Sequence, residues 1–160
     1  MDTQKQILVP VDFSSASKVA LDQAAELAGQ INAVVDILHV WDLPASARDN
    51  DVIELQGLPS TVADAVRHYA KDTLAAFTKK AQDSGITVRS ARAVPGTGYE
   101  TIVEEAKRGG YDLIVIGTHG RKNLSRAILG SVAERVVRYA HCPVLVARSR
   151  LETTATDHSG

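Results

Sequence analysis

The sequence predicts an α/β fold, an open five-stranded parallel sheet sandwiched by four helices, and two observations carry that reading. Short apolar runs alternate with longer amphipathic segments along all but the ends of the 160 residues, the pattern of strands joined by helical crossovers. The runs at 6–11, 111–116 and 143–147 are nearly continuous rather than alternating, as strands covered on both faces should be.

The first strand is expected at Gln6 to Val11 and the second at Ala33 to Val40. A weaker third strand covers Ile86 to Val94, followed by strong candidates at Tyr111 to Ile116 and Pro143 to Ala147. The first helix should span Ser15 to Ala28, with Val19, Ala20, Ala24, Leu27 and Ala28 on one face and Gly29 as its stop. A long second helix is expected from Thr61 to Ser84, apolar at Val62, Val66, Tyr69, Ala70, Leu74, Phe77 and Ala81. The third runs from Tyr99 to Arg108 before Gly109-Gly110, and the fourth from Ser131 to Ala140, carrying Val132, Val136 and Tyr139. Pro143 limits the fourth. Residues 41–59 show no period and hold Pro44, Gly57 and Pro59, so they read as a lid or a loop. One domain is expected over residues 1–148, with a polar, disordered tail over 149–160.

Composition narrows the function classes. The chain is 44% hydrophobic and 23% charged with a formal net charge of −1, and acidic and basic residues are interspersed. That argues against a general nucleic-acid or membrane-surface binder. A lone Cys142 cannot form an internal disulfide, which points to a reducing, cytoplasmic setting. The N-terminal apolar run breaks at Asp12, too early for a signal peptide. No apolar stretch approaches ~20 residues, so no membrane insertion is expected.

The chemistry concentrates in GTHGRKNLSRAILGS, residues 117–131. Gly117 follows the fourth apolar run, Gly120 comes three positions later, and Gly130-Ser131 follows after nine intervening residues. Ser131 and Glu134 have the S-x-x-E form of a capping box. Glycines admit a ligand close to the backbone, and a helix N-terminus presents unpaired N–H groups and partial positive charge. Such a loop suits an anion, and phosphate is the usual one. His119 is placed to donate to phosphate, or is an exposed loop histidine. Arg121, Lys122, Ser125 and Arg126 supply further polar groups, or are solvated.

Ligands of an open parallel sheet lie beyond the carboxyl ends of its strands. Asp12, at the end of the first strand, either faces a ligand or helps cap the first helix with Ser14. After the second strand, Val40 can present its backbone to a base, and Trp41 either covers the ring or, more simply, is a packing residue. His39 reads as a satisfied buried imidazole. Gly96-Thr97-Gly98 lacks the third glycine and the acidic partner of a dinucleotide fingerprint. A Walker A loop is absent, and the first strand is not followed by the Ser-Gly-Gly-x-Asp-Ser loop of ATP pyrophosphatases.

DLIVIGTHGRKNLSRAILGSVAERVVRYAHCPVLVAR and ILVPVDFSSASKVAL resemble the two halves of a universal stress protein domain, over residues 5–148. The resemblance implies the strand order 3-2-1-4-5, a Rossmann-like, adenine nucleotide alpha hydrolase-like fold. It implies the ATP-binding branch, whose G-x2-G-x9-G-[ST] pattern is met at Gly117, Gly120, Gly130 and Ser131. By position, Pro10, Val11 and Asp12 would line the adenosine side and Val40 would contact adenine. Ile116, Gly117, His119 and Gly120 would line the ribose and α-phosphate, and Gly130, Ser131 and Val132 the outer phosphates. The resemblance further implies ATP, or AMP or ADP, with Mg or Mn bridging the phosphates. It also implies a homodimer through the fifth strand, Val144-Ala147, whose apolar edge would otherwise be exposed. Cys142 is then a structural thiol near that edge.

The leading functional expectation is an ATP-binding regulator of stress adaptation acting on an unknown regulated protein. Two other classes compete: a slow ATPase or phosphotransferase, and an interaction module with an unused nucleotide site. No residue spacing shows groups converging on a γ-phosphate, and an unused site would not need the glycine pattern.

Overall fold

The chain alternates strand and helix as its apolar runs require, and the computed structural model describes residues 4–48, 50–119 and 129–148. In order, the elements are β1 (Gln6–Pro10), α1 (Ser15–Ile31), β2 (Val34–Trp41), β3 (Val52–Leu55), β4 (Leu58–Thr61) and α2 (Val62–Asp83). They continue with β5 (Ser90–Pro95), α3 (Gly98–Arg108), β6 (Leu113–Gly117), α4 (Ser131–Tyr139) and β7 (Val144–Ala147). Five strands form one parallel sheet in the order β5-β2-β1-β6-β7. With the β3–β4 hairpin set aside, this is the expected 3-2-1-4-5 order.

Strand alternation divides the core in two. Ile7, Val9, Val35, Ile37 and Val115 pack with Ala20, Leu21 and Ala24 of α1 and Leu74 of α2 on one face. Leu8, Leu38, Ile114 and Ile116 pack with Ile102 and Ala106 of α3 and Ala133 and Val136 of α4 on the other. Each such buried aliphatic side chain contributes about 1.5–3 kcal/mol of transfer free energy. Tyr69 of α2 and Tyr139 of α4, expected on apolar faces, are exposed.

Four local expectations need correction. α1 runs through Gly29 to Ile31 and stops at Asn32, which is left-handed (φ 52°, ψ 48°) and donates its N–H to Ala28. Gly29 costs a helix only a small amount, and Asn tolerates the left-handed cap where the helix ends. The third strand starts at Ser90 rather than Ile86, because Ile86 and Val88 pack against the core without joining the ladder. Residues 41–59 are not merely a loop. Val52–Leu55 and Leu58–Thr61 pair antiparallel across Gln56-Gly57, both at positive φ (53° and 79°), the backbone of a type I′ turn. Finally, the N-cap of α4 is Gly130, not Ser131, and no side chain caps it. The backbone N–H of Glu134 bonds to Gly130 O at 2.9 Å, while the Glu134 carboxylate pairs with Arg138.

The hairpin exposes aliphatic surface, with Val52 at 71% and Leu58 at 69% exposure. The polar tail at 149–160 and the loop cations Arg121, Lys122 and Arg126, with Ser125, lie outside the described residues.

One carboxylate is buried against the sheet. Asp36 of β2 is 2% exposed and accepts four hydrogen bonds. They come from Arg89 Nε (3.0 Å), Ser90 Oγ (2.8 Å), Tyr111 Oη (2.8 Å) and Arg89 Nη2. Burial alone would raise its pKa, but the bonds from Arg89, Tyr111 and Ser90 outweigh burial and hold the carboxyl below its ordinary value. Such a group adds stability above its unfolded pKa and loses it as pH falls through the folded one. Asp36→Asn is therefore expected to cost about 2–3 kcal/mol in urea unfolding at neutral pH. The same variant should flatten the loss of stability below about pH 4.

At the end of β6, α1 crosses so closely that a Cβ on Gly117 would lie 2.7 Å from Ala16 O and 2.9 Å from Ala16 Cβ. The obstacle is backbone, which cannot rotate away. Gly117→Ala is expected to cost about 2 kcal/mol, read as a lowered Tm in the absence of any ligand.

Candidate nucleotide cleft

β1 lies between β2 and β6, and its chain departs to one face while that of β6 departs to the other. A cleft of about 400 Å³ opens between these departures, as expected where strand order reverses. Its walls come from the carboxyl ends of β1, β2 and β6 and from the N-termini of α3 and α4.

At the β1 end, Val11 continues the ladder by donating to Leu38 O at 2.8 Å. Phe13 then takes a positive φ of 66°, which swings the chain into α1. The turn is held by polar side chains. Asp12 Oδ1 accepts from Ser14 N (3.0 Å) and Ser17 Oγ (2.7 Å), and Asp12 N donates back to Ser17 Oγ (2.9 Å). Ser14 is the N-cap, its hydroxyl accepting from Ser17 N at 3.2 Å. Asp12 therefore does the helix-entry work and also lines the cleft. The helix-entry role is the one its hydrogen bonds show, and the side chain also borders the cleft.

Beneath that turn His39 is buried, and its Nδ1–H donates to Val11 O at 2.8 Å. Its ring lies 4.3 Å from that of Phe13. Trp41 is buried as well and is not among the cleft-lining residues, as expected of a packing residue. Cys142 is partly buried beside the α4 face, and desolvation raises its thiol pKa.

At the β6 end, Gly117 leads into Thr118, whose carbonyl accepts from Gly130 N at 2.7 Å. This bond ties the strand end to the start of α4. His119 projects at the cleft, its Nδ1 2.7 Å from Thr118 Oγ1, and its buried Nε2 has no hydrogen-bond partner among the described residues. A buried ring nitrogen left unpaired is costly unless a ligand or water meets it.

Two helices aim their first turns into the same space. Neither α4, capped by Gly130, nor α3, capped by Thr97, has a side-chain hydrogen bond at its N-cap. Their leading backbone N–H groups therefore remain as donors with partial positive charge. The remaining surface is largely aliphatic, from Leu38, Val40, Ile102, Ile116 and Val132. A flat apolar ring and an attached anion both find matching surface here.

Of the residues expected to form a site, Pro10, Val11, Asp12, Val40, Ile116, Gly117, His119, Gly130, Ser131 and Val132 all line this cleft. Gly120 lies outside the described residues. The sequence reading missed Ser17, Leu38, Gly98, Ile102, Thr118 and Ala133. Gly98 carried a visible signal, since Gly96-Thr97-Gly98 stands between a strand and a helix. That segment is no dinucleotide fingerprint, yet it delivers a helix N-terminus to the same cleft. Ser17 was also legible, as the third residue of a helix opened by Asp12 and Ser14.

No helix among the described residues is long and apolar enough to cross a membrane. The model of the universal stress protein family matches residues 4–148. Universal stress protein MJ0531 of Methanocaldococcus jannaschii is 33% identical over 144 residues, which cover 90% of this chain and 82% of that protein. Among solved structures, universal stress protein UspA from Lactobacillus plantarum superposes with a TM-score of 0.70 at 29% identity, covering 92% of this chain and all of that one. A universal stress protein crystallised in complex with cAMP superposes with a TM-score of 0.57 at 27% identity, covering 90% and 97% of the two chains. The sheet order, the glycine segment after β6 and these matches over nearly the whole length make this chain a member of the universal stress protein family.

Proposed function

We propose that this chain binds ATP in the cleft between β1 and β6 and acts as a nucleotide-dependent regulator in stress adaptation. The observation that carries the reading is the convergence of two helix N-termini without side-chain caps on one aliphatic cleft. The related structure in complex with cAMP lends support, since its ligand is an adenine nucleotide.

In this reading Pro10, Val11 and Asp12 line the adenosine side and the Val40 backbone reads the adenine edge. Ile116, Gly117, His119 and Gly120 line the ribose and α-phosphate, with a ligand oxygen satisfying His119 Nε2. The tautomer in which Thr118 donates to Nδ1 places the proton on Nε2, ready for that contact. Gly130, Ser131 and Val132 hold the outer phosphates with first-turn N–H groups and the Ser131 hydroxyl. Among the described residues no three His, Cys, Asp or Glu side chains gather in a metal-binding group. A bridging Mg or Mn ion would accordingly draw most of its oxygens from the phosphates themselves. AMP and ADP share the adenosine contacts and lack some of the outer-phosphate ones, which gives the protein a means of reading adenylate charge.

The reading extends to assembly. Val144–Ala147 forms an outer strand of the sheet, and a second copy would cover it. A cytoplasmic setting suits the free Cys142.

Two measurements test these points. Gly130→Val is expected to weaken ATP binding at least about tenfold by isothermal titration calorimetry, and unchanged affinity would refute the phosphate assignment. Sedimentation equilibrium should give twice the chain mass for the parent and a shift toward monomer for Val144→Lys.

A further inference from the structure

The α3 face of the sheet carries a further concavity, lined by none of the cleft residues. It is a shallow basin of about 470 Å³ over the start of β2 and the outer strand β5, floored by Asp36 and rimmed by Arg89, Arg92, Glu105 and Arg108. Three guanidinium groups here face two carboxylates. The Glu105 side chain, 12% exposed, accepts from Arg92 Nη1 at 2.7 Å and from Arg108 Nη2. Either arginine alone would neutralise it, so one positive charge exceeds what the fold requires.

The donors are also preorganised. Arg89 is tied to both Asp36 oxygens and, through Nη2, to Gln6 Oε1 at 2.7 Å. An arginine has about five N–H donors. Among the described residues Arg92 is engaged by Glu105 and by the Tyr111 hydroxyl, and Arg108 by Glu105, so each keeps N–H donors beyond these bonds. Guanidinium forks with donors to spare around a concavity match the oxygens of a phosphate group.

We propose that this basin is a second anion site, built for a phosphate group and separate from the nucleotide cleft. The two share elements but not residues. Leu38 and Val40 of β2 and Gly98 and Ile102 of α3 line the cleft, while Asp36, Glu105 and Arg108 serve the basin. Along β2, Asp36 and Val40 are roughly 13 Å apart. The site does not depend on what the cleft binds.

The test is a titration of the full chain with inorganic phosphate, and in a second arm with phosphoserine, followed by NMR. Arginine side-chain Nε–H signals report the basin, and the Ser131 and Val132 amides report the cleft. Saturable shifts of the Arg92 and Arg108 signals in either arm are expected at millimolar ligand. The tighter arm tells whether the anion is free or carried on an organic body. Arg92→Gln and Arg108→Gln should each weaken binding about tenfold. Both should fold, because Glu105 keeps one partner in each. Shifts confined to the cleft amides, non-saturating shifts in both arms, or variants that titrate like the parent would overturn the site.

Discussion

The position of β1 at the reversal of strand order constrains everything else in the molecule. Its neighbours β2 and β6 are both parallel to it, so all three strands end at the same edge of the sheet. The chain leaving β1 enters α1 on one face, and the chain leaving β6 leads to α4 on the other. Among the described residues, strand ends and helix starts line the space between, where backbone donors are least satisfied by the fold itself.

The strands and helices were legible because they follow hydrophobic period, which is local information. The continuous runs at β1 and β6 announced burial on both faces, and the structure places Ile7 and Val9 on one face and Leu8 on the other. The hairpin was not legible in the same way. Its apolar residues Val52 and Leu58 are exposed, so no buried face imposes a period, and only Gln56-Gly57 marks the turn. The cap of α4 was misassigned because Ser-x-x-Glu is a local pattern, whereas Gly130 is held as the cap by its long-range bond to Thr118.

The site divides along similar lines. Residues at strand ends and in the glycine segment could be named from order along the chain. Leu38, Ile102 and Thr118 could not, since nothing local distinguishes a core residue from one whose far side is open to a cleft. Ser17 is intermediate. Its hydroxyl serves Asp12 from the first turn of α1, so its role follows once the helix start is fixed. The Asp36 network was invisible from sequence, because it joins β2, β5 and Tyr111 across 75 residues.

The close approach of Ala16 to Gly117 changes how the glycine signature should be weighed across relatives. At that position the missing side chain answers to the neighbouring helix, whatever occupies the hollow beside it. Descendants that abandon the ligand would still retain Gly117 under selection for folding alone. If Gly130 and Ser131 hold phosphate as proposed, evolutionary loss of binding should instead register first there, and those two letters, not the opening one, would be the informative part of the motif.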